Sequence, residues 1–324
     1  MTATATRCAA ADGTGPRRFA EAVARLSPPG GRLGLAVSGG PDSMAMLLLA
    51  QAAIPARFEV ATVDHGLRPE AAEECALVER ACAARGVPCA VLKVQVGGGN
   101  LQASAREARY AALAQWALRK NLAAIATAHH ADDQAETLLM RLNRGCGVAG
   151  LAGVRERGVV RTAEGEVPLI RPLLRFRRGE LGAIVASADG LHVVHDPSNE
   201  DDRFDRARLR KALGAADWID PLALARSAGH LAEAEDALAA FAATLWATRV
   251  RRDGDAFTLD PPAPRMMRLR IVERIIGELG GDPRGGDVAR LVDRLEQGDG
   301  GNVGGVLATA ANGRWLFRSE PPRR

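Results

Sequence analysis

Along the first 150 residues the apolar positions switch repeatedly between two spacings. The runs 33-LGLAV-37, 58-FEVATV-63, 89-CAVLKV-94 and the start of 122-LAAIATAHH-130 are short, apolar and bounded by polar or turn residues, so they read as buried strands. The longer stretches between them mix polar and apolar residues and predict helices over 44–53, 68–85, 101–120 and 131–145. Pro55, and then Gly86 with Pro88, punctuate the first two. Strand and helix alternate four times. That order predicts an α/β fold, a parallel sheet with helices on both faces, whose ligands lie beyond the carboxyl ends of the strands.

Outside this block the pattern is looser. Residues 1–20 read as a flexible leader, and 21–26 as the end of a short helix broken by 27-SPPGG-31. After Gly147, Gly150 and Gly153 come two strands, around Val160 and Val167, and a helix over 175–188. Residues 191–213 read as a loop and a basic helix, and 218–221 as a linker. A long helix from 222 to about 250 follows, with further helices near 265–279 and 286–297. Asn312-Gly313 signals a hairpin within the closing segment 303–319. The expected organisation is one domain over 1–217 and a smaller, mostly helical one over 218–324.

Composition narrows the class. The chain has 324 residues, 47% hydrophobic and 25% charged, as a soluble globular protein does. No apolar run approaches the ~20 residues of a membrane span, and the N-terminus lacks the apolar core of a secretory signal. Cys8, Cys75, Cys82, Cys89 and Cys146 are odd in number and form no C-x-x-C pair. This predicts a reducing, cytoplasmic setting and argues against a zinc or iron–sulfur site. A net charge of +4 says little about nucleic acid; the placement of the arginines says more. Arg171, Arg175, Arg177 and Arg178 form one basic segment, and Arg203, Arg206, Arg208, Arg210 and Lys211 another. The second follows an acidic stretch over 196–202. It is either a helix salt-bridged in part by Asp202 and Asp205 or a surface for RNA phosphates.

Three constellations carry candidate chemistry. Strand 33–37 ends in Ser38-Gly39-Gly40-Pro41-Asp42-Ser43 and feeds a helix. Glycines admit an anion close to the backbone, and the helix N-terminus offers unpaired N–H groups to phosphate. Ser43 can donate to a phosphate oxygen, and Asp42 can hold a Mg²⁺ against it. A plain capping turn would use similar residues. The loop has neither the lysine of G-x-x-x-x-G-K-[ST] nor the spacing of G-x-G-x-x-G. The second constellation, 129-HHADDQAET-137, puts Asp133 and Glu136 on one helical face just after His129 and His130. It suits Mg²⁺ or a cationic substrate, or simply an acidic helix start. Arg106 and Arg109 lie one turn apart on a third segment. Asp64-His65 ends the second strand and points to the same crevice.

Residues 38–43 match SGGxDS, the PP-loop of the N-type ATP pyrophosphatases, which split ATP between its α- and β-phosphates. Taken with VDHGLRPE (63–70), NLQASAREARY (100–110), the block from ATAHHADDQAET through GLAG (126–153), RPLL (171–174), DPSN (196–199) and RARLR (206–210), the chain resembles the bacterial tRNA(Ile)-lysidine synthases in their short form. The likeness covers about 32–213 and is loose beyond 218. It implies an adenine nucleotide α-hydrolase-like fold, ATP and Mg²⁺ as cofactors, and as partners free lysine and the tRNA(Ile) with a CAU anticodon, in a possible homodimer. The implied reaction adenylates the C2 oxygen of cytidine-34 and replaces AMP with the lysine ε-amine. By the same resemblance Asp42, His129, Asp133 and Glu136 are catalytic, Ser38 to Ser43 bind ATP with Asp42 on the metal, and Arg109, Asp133 and Glu136 hold lysine. Arg203, Arg206, Arg208, Arg210 and Lys211 would hold the tRNA backbone. The alternatives are another PP-loop tRNA-modifying enzyme such as a thiolase, for which the missing C-x-x-C is awkward, or a non-catalytic ATP-binding module.

Overall fold

The computed structural model describes residues 14–66, 70–95, 101–194, 203, 205–261 and 264–320. The 97-GGGN-100 loop, the acidic stretch 196–202 with its DPSN, residues 67–69 and the first 13 residues of the expected leader lie outside these. Two compact units emerge, 1–232 and 233–324, divided inside one long helix; the sequence boundary had been expected at 217/218.

In the first unit, β1 (Leu33–Ala36), β2 (Phe58–Asp64), β3 (Cys89–Lys93) and β4 (Ala124–Ala126) are parallel, joined by α2 (Pro41–Ala53), α3 (Glu70–Ala83) and α4 (Leu101–Arg119). An extra helix, α1 (Thr14–Leu26), precedes them, starting well before the expected fragment at 21–26. After α5 (Ala131–Asn143) and the short α6 (Val148–Leu151), β5 (Arg157–Thr162) and β6 (Gly165–Ile170) form a hairpin whose second strand runs parallel to β4. The order is β3-β2-β1-β4-β6-β5, so the sheet reverses direction of growth between β1 and β4. The chain continues through α7 (Arg178–Ala186) and α8 (Asp205–Ala215).

Side chains alternate across the sheet as a two-residue period requires. Leu33, Leu35, Val60, Ala124 and Ala126 face a core shared with α1, α2 and α7, while Ala36, Ala61 and Ile125 face the core under α4. Helix α2 is buried nearly all round, which explains its unbroken MAMLLLA run. Gly34 has a specific reason: a Cβ there would lie 2.5 Å from Cζ3 of Trp116, so the indole of α4 rests on bare backbone.

The second unit takes the later part of α9 (Pro221–Arg249), then the hairpin β7 (Val250–Asp253) and β8 (Ala256–Leu259), α10 (Arg265–Glu278), α11 (Gly285–Glu296), and β9 (Gly301–Val303), β10 (Val306–Ala311) and β11 (Arg314–Ser319). The expected helices are present. Beside them stands a five-stranded antiparallel sheet, β7-β8-β11-β10-β9, whose Phe257, Leu259, Trp315 and Phe317 pack on Ile275 and Leu291. Asn312 and Gly313 both have positive φ (53° and 75°) in the β10–β11 turn, the geometry that made the pair a hairpin signal.

Candidate active site

The point where sheet growth reverses, between β1 and β4, is where a parallel sheet opens a crevice. Gly39 adopts φ +84° to turn the chain out of β1, and its carbonyl accepts the Val194 N–H at 2.9 Å. Gly40 caps α2, with Pro41 at the first helical position, where no N–H is needed. Ser43 ties the loop together: its hydroxyl donates to the Gly40 carbonyl at 2.9 Å and accepts from the Ser38 N–H at 3.1 Å. One oxygen of Asp42, Oδ1, is buried with no hydrogen-bond partner among the described residues.

Two cavities surround this loop, of about 410 and 610 Å³. Both are lined by Ser38, Gly40, Asp42, His65, Arg109, Asp133 and Arg206. The larger adds the apolar Val37, Ala61, Val63 and Val194, with Thr62 and Cys75, and the charged Glu74, Arg178 and Arg210; the smaller adds Arg106, Tyr110 and His129. The expected ATP-loop residues, Arg109, His129 and Asp133 therefore converge. Gly39 lines neither cavity and serves the turn. Arg109 is half-buried and, among the described residues, makes no ion pair; burial lowers its pKa.

Helix α5 aims the acidic group. His130 is its N-cap: the Asp133 N–H donates to His130 Nδ1 at 3.3 Å, and the His130 N–H donates to Asp133 Oδ2 at 3.2 Å. That arrangement leaves the ring proton on Nε2, which lies 3.4 Å from Asp42 Oδ2 and 3.5 Å from Asp133 Oδ2. His130 is fully buried and links the PP-loop to the acidic helix, a role that sequence reasoning missed. The only signal was the HH pair directly before ADD.

The carboxylates differ in surroundings. Asp132 is held by Arg177 and by the Arg178 N–H, at 2.8 Å, at the start of α7. Asp133 stands on the cavity wall. Glu136 lines neither cavity; it is buried behind Asp133 and takes Arg178 at 3.1 Å, Arg206 at 2.7 Å and Arg210 at 2.9 Å. Burial raises its pKa, but Arg210 and Arg206 outweigh that and hold it at about 2. Arg206 also donates to Asp133 Oδ1 at 2.6 Å. Arg206 and Arg210, expected on RNA phosphates, thus reach the acidic pair, Arg206 while itself still exposed; Arg203, Arg208 and Lys211 are exposed as well. Of the other basic segment, Arg171 is buried and donates to the Arg155 carbonyl at 2.6 Å.

The adjacent histidines titrate in opposite directions. Burial, reinforced by Arg171, Arg106 and Arg206, drives His129 down to about 4 against the pull of Asp133. Burial also opposes charging of His130, but its contact with Asp42 and the charges of Asp133 and Asp42 raise it above the ordinary 6.5. NMR titration of the imidazole carbons should find His129 neutral down to about pH 4 and His130 protonating above pH 6.5. The linked stabilities oppose each other. Folded His129 binds its proton less readily than the unfolded ring, so its contribution falls as pH drops from 6.5 to about 4. That of His130 is complete below 6.5 and is lost as pH rises through its folded value. Two imidazoles titrating together near 6.5 would contradict this site.

The donor set suits Mg²⁺ of a nucleotide. Such an ion takes one or two carboxylates from protein and the rest from phosphate and water. Asp42 supplies one beside the helix N-terminus, with an unpartnered buried oxygen. Among the described residues no cluster of three His, Cys, Asp or Glu side chains could hold a metal by itself.

A PP-loop domain family matches residues 15–216. A curated tRNA(Ile)-lysidine synthase of Novosphingobium aromaticivorans is 48% identical over 300 residues, 91% of each chain. The chain belongs to the tRNA(Ile)-lysidine synthases. A second synthase, of Zymomonas mobilis, is 43% identical over 95% of both chains. Among solved structures, a U34-tRNA thiolase of Methanococcus maripaludis shares the fold at 15% identity, with a TM-score of 0.56 over 68% of this chain and 78% of that one. Fold likeness at that identity does not favour the thiolase alternative, whereas the synthase relatives share sequence through both units. As in the PP-loop family at large, this synthase uses ATP. Among the described residues no helix is long and apolar enough to cross a membrane.

Proposed function

We propose that the protein ligates free lysine to C2 of cytidine-34 in the CAU anticodon of tRNA(Ile), with ATP converted to AMP and pyrophosphate. One observation carries this: the phosphate loop, a carboxylate (Asp133) and an arginine (Arg109) line the same cavity. ATP sits with its phosphates on Ser38 to Ser43 and its base against the apolar wall of Val37, Ala61 and Val63. Asp42 would hold a Mg²⁺, which neutralises charge on the departing pyrophosphate. The cytidine C2 oxygen bonds to the α-phosphorus as the bond to pyrophosphate breaks. Lysine Nε then bonds to C2 as the C2–O bond to AMP breaks.

The amine arrives charged, with a reference pKa of ~10.4. Asp133 receives the ammonium and takes one of its protons, which frees the lone pair that bonds to C2; the second proton, acidic once that bond forms, passes to solvent as AMP leaves. Glu136 lies behind Asp133, neutralised by Arg178 and Arg210. Arg109 takes the lysine carboxylate. His129 stays neutral and so adds no positive charge to repel the ammonium. Arg203, Arg208 and Lys211 contact the tRNA backbone, and the second unit binds the tRNA body.

A pyrophosphate-release assay tests this reading. Release should require tRNA(Ile), and consumption of the adenylated intermediate should require lysine. Rapid release from ATP alone would indicate an ATPase instead.

A further inference from the structure

The position beside Asp133 holds a cation of the chain itself, Arg206. Its Nη2 donates to Asp133 Oδ1 at 2.6 Å and its Nε to Glu136 Oε2 at 2.7 Å. The second Asp133 oxygen accepts the His130 N–H at 3.2 Å. An incoming ammonium and the Arg206 guanidinium therefore compete for one carboxylate.

Arg206 also has another partner within reach. It lines both cavities together with Ser38, Gly40 and Asp42 of the phosphate loop. A guanidinium fork fits phosphate oxygens as well as it fits a carboxylate. Of the three arginines on Glu136 its side chain is the most exposed, 46% against 35% for Arg178 and 27% for Arg210. If Arg206 leaves, Arg178 and Arg210 still neutralise Glu136, so no buried charge is stranded.

We propose that Arg206 is an exchange residue. It closes the ammonium site while the phosphate loop is empty and passes to the phosphates when ATP docks, so that lysine binds after the nucleotide. The chemical benefit is that a nucleophilic amine is kept from the site until the nucleotide that activates the acceptor is in place. This rests on the reading that lysine is the amine bound at Asp133. Binding linkage then requires lysine to tighten nucleotide binding by the same factor.

The test is isothermal titration of the full chain with lysine, alone and with Mg²⁺ and α,β-methylene-ATP, which cannot be cleaved at the bond in question. Lysine should bind about tenfold or more tightly with the nucleotide present, a coupling of ordinary allosteric size. Arg206→Ala should bind lysine tightly without nucleotide, and the nucleotide effect should shrink to about twofold or less. Arg206→Gln provides a second variant, and melting curves with nucleotide affinity show that each variant is folded. Equal lysine affinity in wild type with and without nucleotide overturns the exchange, and so does undiminished coupling in both variants. If lysine binds in neither state and pyrophosphate release is followed by no lysine-dependent product, the reading of Asp133 falls, and the exchange with it. Equal affinities together with lysine-dependent product formation overturn the exchange alone.

Discussion

Asp42→Asn should lower tRNA-dependent pyrophosphate release by about 10²–10³-fold or more, the scale of losing one preorganised charge from a transition state. The substitution keeps the shape of the side chain and removes only its charge. Asp42 stands in the first turn of α2, so its neighbours Pro41 and Ser43 keep their places, and the Ser43 bond to Gly40 is untouched. What disappears is the anion that faces both the phosphate site and His130. The same variant should therefore lower the pKa of His130, since the Asp42 contact is a principal cause of its upward shift. Loss of activity with an unmoved His130 would mean that Asp42 acts elsewhere than in this geometry. Activity within about tenfold of wild type would remove it from the proposed metal and phosphate chemistry.

The second large effect is on stability. Glu136→Gln should cost about 3–5 kcal/mol, the usual penalty for stripping one partner from a buried ion pair, and lower the melting temperature by roughly 10 °C. Three guanidinium groups, from α7 and α8, meet on this one side chain, so the neutral amide leaves them facing each other. The pH dependence has a definite sign. With a folded pKa of about 2 against an ordinary 4.5, the Glu136 carboxylate contributes stability that is present above 4.5 and lost as pH falls toward 2. The variant should lose that part of the acid response. Asp133→Asn provides the contrast. Asp133 is on the cavity wall with a single arginine, so its variant should melt close to wild type and lose lysine transfer more than adenylation. A Glu136→Gln protein as stable as wild type would show that the buried cluster holds nothing together. Equal losses of both half-reactions in Asp133→Asn would count against its role with the amine.

What could be read from the sequence divides by distance along the chain. The PP-loop is contiguous, and a strand that ends in Ser-Gly-Gly and enters a helix at Pro41 carries its own geometry. The same holds for β1 to β4, whose apolar runs are buried strands, and for the Asn312-Gly313 turn. The hairpin of β7 and β8 was not legible. Arg251-Arg252-Asp253 forms an exposed edge strand with no apolar alternation to betray it. Helix α1 was only partly legible, because its buried face is just Phe19, Val23 and Leu26 beyond a Gly-Pro start. In the site, charge patterning could show that 203–211 was basic but not which way its arginines turn. Arg206 and Arg210 find Glu136 at separations of 70 and 74 residues, which only the fold brings together. His130 was hidden for the same reason: a helix cap is readable locally, its contact with Asp42 is not.

The central claim is that ATP on the PP-loop and an amine at Asp133 act on one acceptor base. It is tested most directly by mass spectrometry of nucleosides from tRNA(Ile) incubated with the protein, ATP, Mg²⁺ and lysine carrying ¹⁵N at the ε position. The expected product is one nucleoside with the mass of cytidine plus lysine less water, retaining the label, formed in step with AMP, and missing with Asp133→Asn. AMP and pyrophosphate accumulating while every cytidine keeps its mass, or a modified nucleoside without the label, would contradict the account.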